Sequence, residues 1–181
     1  MSLVIGAKLD GVVMLAADCR VTDQSRILAP YRKIRPHGAW LVGSAGSISD
    51  DYLFFHGLDP GFDFSDPVQY ADRVAHCADY WDRLNKIPAV EPLKYEVNFQ
   101  CIAANGPMLI IGNPAGFLSA EEWYVIGWPQ ITQALFHREY SPTMTAEALE
   151  ALATEAYDLT SRLTGGVGDG LDIVWTRRWG D

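Results

Sequence analysis

Basic charge is scarce in this chain. Its 181 residues carry 14 Lys+Arg against 23 Asp+Glu, a formal net charge of −9, and the basic residues are scattered apart from Arg32-Lys33 and Arg177-Arg178. Nucleic-acid phosphates require a basic stripe, so nucleic acid is excluded as a partner class. Cysteine is scarce too. Cys19, Cys77 and Cys101 show no metal-ligand spacing and cannot all pair, the pattern of reduced thiols in an intracellular, cytoplasmic protein. His37, His56, His76 and His137 are equally dispersed, which leaves no metal site to propose. No apolar run approaches the ~20 residues of a membrane span, so no membrane role is expected. The N-terminus lacks the basic segment and uninterrupted apolar stretch of a signal peptide. Repeats, low-complexity tracts and linkers are missing, which predicts a single domain over residues 1–181.

What remains is an ordinary globular composition, 49% hydrophobic and 20% charged, ample for a large core. Six tryptophans are many for this length. Core packing is their default use, with subunit contacts as a second.

The informative stretch is the first twenty residues. Two apolar runs, Leu3 to Lys8 and Val12 to Asp18, flank Leu9-Asp10-Gly11, a strong hairpin signal. The hairpin begins at the N-terminus. Removal of Met1 would leave Ser2 with a hydroxyl and a free α-amine on one residue. An α-amine titrates near ~7.7–8.0, so the two form a minimal nucleophile-and-base pair. Asp18 closes the second strand and Lys33 follows.

Further along, Ala39–Ala45 reads as a strand and Ser47–His56 as a helix opening after Gly46, with Asp50 and Asp51 in its first turns. Asp66-Pro67 starts a second helix, which places Ala71, Val74, Ala75, Ala78 and Trp81 on one face and stops near Lys86. Tyr95–Ala104 and Met108–Gly112 form a second hairpin at Asn105-Gly106. Phe117–Ile126 is partly strand and Pro129–Arg138 helical. Thr145 caps a last helix with Leu149, Leu152, Ala156, Leu159 and Leu163 at helical spacing. The glycine-rich loop 164–170 leads into a final strand, Leu171–Thr176; it lacks the Lys-Ser/Thr ending of a phosphate loop. Strands and helices alternate in blocks, which predicts an α+β fold of mainly antiparallel sheets with helices outside.

The run Val12-Val13-Met14-Leu15-Ala16-Ala17-Asp18-Cys19-Arg20, with Arg32-Lys33-Ile34 and Leu41 through Ala45-Gly46 to Asp50, resembles a proteasome β-subunit or the HslV peptidase. The match covers about the first fifty residues and is topological beyond them. It implies a four-layer αββα sandwich of the N-terminal-nucleophile (Ntn) hydrolase type. It also implies catalytic roles for Ser2, Asp18, Lys33 and Gly46. Ser2 would be the nucleophile. Lys33 would lower the proton affinity of its hydroxyl and amine, and Asp18 would hold Lys33 charged and oriented. The Gly46 N–H would meet the developing oxyanion. Arg20 would fix the loop after the hairpin. No cofactor is required.

Two supporting positions depart from the pattern. Trp128, after Gly127, stands where that family has a serine. Ser161 to Gly166 reads Ser-Arg-Leu-Thr-Gly-Gly where an Asp-x-x-Ser-Gly-Gly run is expected. Thr164 can replace the serine, but Ser161 carries no charge; a shifted alignment onto Gly168-Asp169-Gly170 is the alternative. The implied function is hydrolysis of polypeptide substrates in a self-assembled homo-oligomeric ring, with an ATPase or unfoldase partner left open. The rivals are a silent ring or scaffold protein and an amidase or acyl transferase on a small or single-partner substrate.

Overall fold

A computed structural model describes residues 2–23, 26–27, 31–86 and 98–177. Met1, whose removal the sequence reading requires, lies outside these residues, as do residues 95–97 of the expected second hairpin.

The first hairpin joins β1 (Leu3–Leu9) to β2 (Val12–Asp18), with Leu9 paired to Val12. Asp10 and Gly11 both take positive φ, 46° and 80°, the turn geometry that matches strand twist. β3 (Thr22–Asp23) and β4 (Arg26–Ile27) form a short ribbon. β5 (Ile34–His37) and β6 (Trp40–Gly46) lead into α1 (Ile48–Phe55) and α2 (Pro67–Asn85). Then come β7 (Phe99–Asn105), β8 (Met108–Asn113), β9 (Gly116–Ser119) and β10 (Trp123–Gly127). α3 (Gln130–Glu139), α4 (Ala146–Thr164) and β11 (Leu171–Trp175) complete the order.

Two antiparallel sheets form, ordered β10-β1-β2-β11 and β5-β6-β7-β8-β9. Alternation along β1 builds the layers. Leu3, Ile5, Ala7 and Leu9 face Leu135, Phe136, Leu149 and Ala153 of α3 and α4. Val4 faces Ile102, Leu109 and Ile111 of the other sheet. A Cβ on Gly6 would stand 2.7 Å from Leu109 Cδ1 and 2.9 Å from Ile102 Cγ2, so side chains of the facing sheet fill the space that glycine leaves. On the far side, Phe54 of α1 and Tyr70 and Cys77 of α2 pack on Val42, Phe99, Cys101 and Ala103. The fold is therefore the expected α+β, four-layer αββα sandwich of two mainly antiparallel sheets.

Helix starts follow their caps. Asp66 Oδ1 accepts from Val68 N–H at 2.8 Å, and Thr145 Oγ1 from Ala148 N–H at 3.2 Å. The α2 face is a correction in part: Ala71, Ala75 and Ala78 are exposed, and the inward line runs through buried Tyr70 and Cys77 with half-buried Val74 and Trp81. Tyr70 packs on Phe54 with centroids 5.5 Å apart. Burying a large side chain stabilises by about 1.5–3 kcal/mol, well beyond a methyl group, so the aromatic face wins over the alanine face. Leu163 on α4 is also exposed, at 70%. Phe117–Ile126 divides into β9 and β10, which belong to different sheets. That crossover matters for the site, because β10 pairs with β1 and sets Gly127 opposite Leu3.

Candidate active site

Ser2, Asp18, Lys33 and Gly46 come from four separate places: before β1, the end of β2, before β5 and the end of β6. Asp18 is fully buried. Its Oδ1 accepts from Lys33 Nζ at 2.6 Å and from Leu3 N–H at 2.8 Å. Its Oδ2 accepts from Arg20 N–H at 3.2 Å and, at 3.5 Å, from Gly168 N–H. This carboxylate thus ties the residue after Ser2 to the lysine and to the glycine loop.

Ser2, Lys33 and Gly46 line one open cleft, with Arg20, Tyr31 and Asp51 among its other walls. A second cleft meets it at Ser2 and Gly46 and is walled by Asn98, Gln100 and Gly127. Gly46 takes φ +124°, and a Cβ there would lie 2.3 Å from Asn98 O. Gly127 takes φ +87°, and its Cβ would lie 2.1 Å from Ser2 O. Both positions admit only glycine. The Trp128 N–H donates to Ser2 O at 2.8 Å, so the tryptophan does stand beside the proposed nucleophile. Its side chain is 37% exposed.

Several residues at the site were not legible beforehand. Asp50 and Asp51 read as first-turn helix acids, yet both are buried. Asp50 accepts from Trp81 Nε1 and from Asn98 N–H, each at 2.9 Å. Asp51 pairs with Arg35, whose guanidinium stacks 3.7 Å over Phe55 and donates to the Tyr31 hydroxyl at 2.9 Å. An acid pair opening a short apolar helix was the available signal. Arg20 differs from its expected use: it reaches the glycine loop, donating to Gly165 O at 2.7 Å and to both carboxylate oxygens of Asp169. Thr164 turns back to its own helix, donating to Thr160 O at 2.8 Å. Asp169, the acid of the alternative alignment, reaches the cleft only through Arg20, which lines it.

Burial lowers the proton affinity of Lys33, and the Asp18 carboxylate acts against that shift. Burial raises the Cys19 thiol, helped by Asp172 and Asp18, so this cysteine is a poor thiolate. Among the described residues no group of three His, Cys, Asp or Glu is placed to hold a metal ion, and no helix is long and apolar enough to cross a membrane.

No protein-family model matches the chain. Solved structures do. The helical assembly of the Anbu complex from Pseudomonas aeruginosa superposes with a TM-score of 0.76 at 16% identity, over 98% of this chain and 82% of that one. Anbu (ancestral beta-subunit) from Yersinia bercovieri gives 0.74 at 17%, over 96% and 81%. BPH from Thiobacillus denitrificans gives 0.66 at 18%, over 99% and 100%. At these identities the likeness is one of fold. It corrects the resemblance to a proteasome β-subunit or HslV drawn from the first fifty residues, because the Pseudomonas aeruginosa and Yersinia bercovieri neighbours are Anbu proteins. The physical reason is that the motif is a local solution, a hairpin ending in an acid, a lysine just before β5 and a glycine at the end of β6. Such a motif reports the fold and not which branch of it a chain occupies.

Proposed function

We propose that this chain is an Anbu-like N-terminal-nucleophile hydrolase that cleaves amide bonds in polypeptides through Ser2, exposed by removal of Met1. The observation that supports this most is the buried Asp18–Lys33 pair at 2.6 Å, with Lys33 lining the same cleft as Ser2 and Gly46. In the proposed reaction Ser2 Oγ attacks the peptide carbonyl and its proton passes to the Ser2 α-amine. The carbonyl oxygen becomes an oxyanion facing the Gly46 N–H, and the Lys33 charge favours both steps. The amine returns the proton to the leaving nitrogen, the C–N bond breaks and an acyl-enzyme remains. Water, deprotonated by the same amine, then releases the acid and regenerates Ser2. Two clefts meeting at Ser2 suit a substrate that extends both ways from its scissile bond.

Assembly with further copies belongs to the same proposal. Helical assembly is described for the Pseudomonas aeruginosa complex, and exposed apolar side chains such as Tyr52 and Val68 are available for contacts. Light scattering should give a mass several times the 20.0 kDa protomer; a protomer mass at micromolar concentration would remove the assembly part. Electron microscopy would separate a ring from a helix.

A second reading, a silent scaffold, is favoured by Trp128 at the position beside Ser2 and by uncharged Ser161. Intact mass spectrometry with and without a peptide β-lactone decides between them. Loss of Met1 and one covalent adduct on Ser2 are expected. Retention of Met1, or a processed chain that is never labelled, would leave the scaffold. Labelling without turnover of any peptide would point to an amidase or acyl transferase.

A further inference from the structure

We infer that Asp169 is a positioning residue: through Arg20 it clamps the 165–170 loop onto Asp18 and so holds the carboxylate that carries Lys33. This deepens the reading of Ser2 as nucleophile and rests on it for its catalytic consequence.

Asp169 sits between Gly168 and Gly170 with φ +61°, a conformation in which glycine is at ease and a side chain is uncommon. The side chain kept there makes a two-point contact, Arg20 Nε to Oδ2 at 3.2 Å and Nη2 to Oδ1 at 3.1 Å. Such forked pairing fixes orientation as well as distance. The third guanidinium nitrogen donates to Gly165 O at 2.7 Å, so Arg20 spans the loop from end to end. A Cβ on Gly168 would lie 2.5 Å from Arg20 Cζ, which shows how closely the guanidinium lies on the loop backbone.

The backbone completes the clamp. Cys19 N–H lies 3.2 Å from Gly168 O and 3.1 Å from Gly170 O. Arg20 N–H and Gly168 N–H then both point at Asp18 Oδ2, at 3.2 and 3.5 Å. With Oδ2 occupied, Oδ1 is left to Lys33 and Leu3 N–H. The Arg20 and Asp169 side chains are 20% and 24% exposed. A surface ion pair contributes little to folding, so orientation of Asp18 is the better account of why an acid is held in a glycine's conformation.

The test compares Asp169→Gly and Asp169→Asn with the processed wild type, by thermal melting, by the rate of β-lactone labelling at Ser2 and by its pH profile. Glycine suits the positive φ, so Asp169→Gly should melt no lower than wild type while labelling roughly 10²-fold more slowly. Lys33 is faced by Asp18, Cys19 and Asp169. Loosening Asp18 lowers its proton affinity further, and the alkaline limb of labelling should move to lower pH. Asparagine keeps one acceptor for Arg20 and should recover part of the rate. Equal loss in both variants would assign the effect to charge alone and overturn the clamp, as would full activity in Asp169→Gly. If wild type is never labelled, the Ser2 reading fails, and amide hydrogen exchange still decides the clamp. Arg20 and Gly168 amides should exchange faster in Asp169→Gly, and unchanged exchange would overturn it.

Discussion

The Lys33 ammonium lies 2.6 Å from Asp18 Oδ1, with the lysine 4% and the aspartate 0% exposed. Two charges closed off together depend on each other far more than a surface pair does. Removing one leaves the other desolvated and unpaired, at a cost of about 3–5 kcal/mol.

Lys33→Met and Asp18→Asn should therefore each destabilise strongly, and the double variant should cost about 1–3 kcal/mol less than their sum. Urea unfolding of the four proteins measures this; strict additivity would show that the two groups do not act as a pair.

The same pair predicts a pH dependence. Burial lowers the proton affinity of Lys33 on folding. Between its folded value and the ~10.4 of a free lysine, the unfolded chain binds more protons, so stability rises with pH. Below the folded value the contribution is flat. The stability of wild type relative to Lys33→Met should thus increase through the alkaline range. A constant or falling difference there would contradict the assigned direction.

At the proposed nucleophile, Ser2→Ala and Lys33→Ala should each abolish β-lactone labelling. Cys19→Ala should retain it, because the raised thiol supplies little thiolate near neutral pH. Peptide mapping locates the adduct, and label on Cys19 or elsewhere would move the nucleophile.

Two glycines with similar φ offer a matched comparison. Gly11 at +80° has no atom within 4 Å of an added Cβ, whereas at Gly127, +87°, the Cβ would meet Ser2 O at 2.1 Å. Gly11→Ala should cost about 1–2 kcal/mol of backbone strain and leave labelling intact. Gly127→Ala adds a backbone collision, and should both lower stability further and displace Ser2. Denaturant midpoints and labelling rates check the pair; equal behaviour would mean that β10 does not constrain Ser2.

Legibility followed sequence distance. The β1–β2 hairpin, the Asp66 and Thr145 caps and the element order were readable because each rests on alternation, turn chemistry or a residue three positions away. Arg20's partner was not, since Asp169 lies 149 residues along the chain. The α2 face was misread because its alanines and its Tyr70–Cys77 line are both helically periodic. Only the aromatic cluster around Phe54 distinguishes them.

By itself the sequence determined the local pieces: strand and helix periods, two caps, a positive-φ turn, and the residue types Ser2, Asp18, Lys33 and Gly46 at the ends of their elements. Backbone sterics and apolar spacing act over a few residues, and those suffice. The tertiary structure alone decided that Phe117–Ile126 divides between two sheets, that β10 brings Gly127 and Trp128 against Ser2, and that Asp169 reaches the site through Arg20. Those outcomes depend on burial and on charges closing against partners from distant segments. Such free energies exist only once the layers have packed.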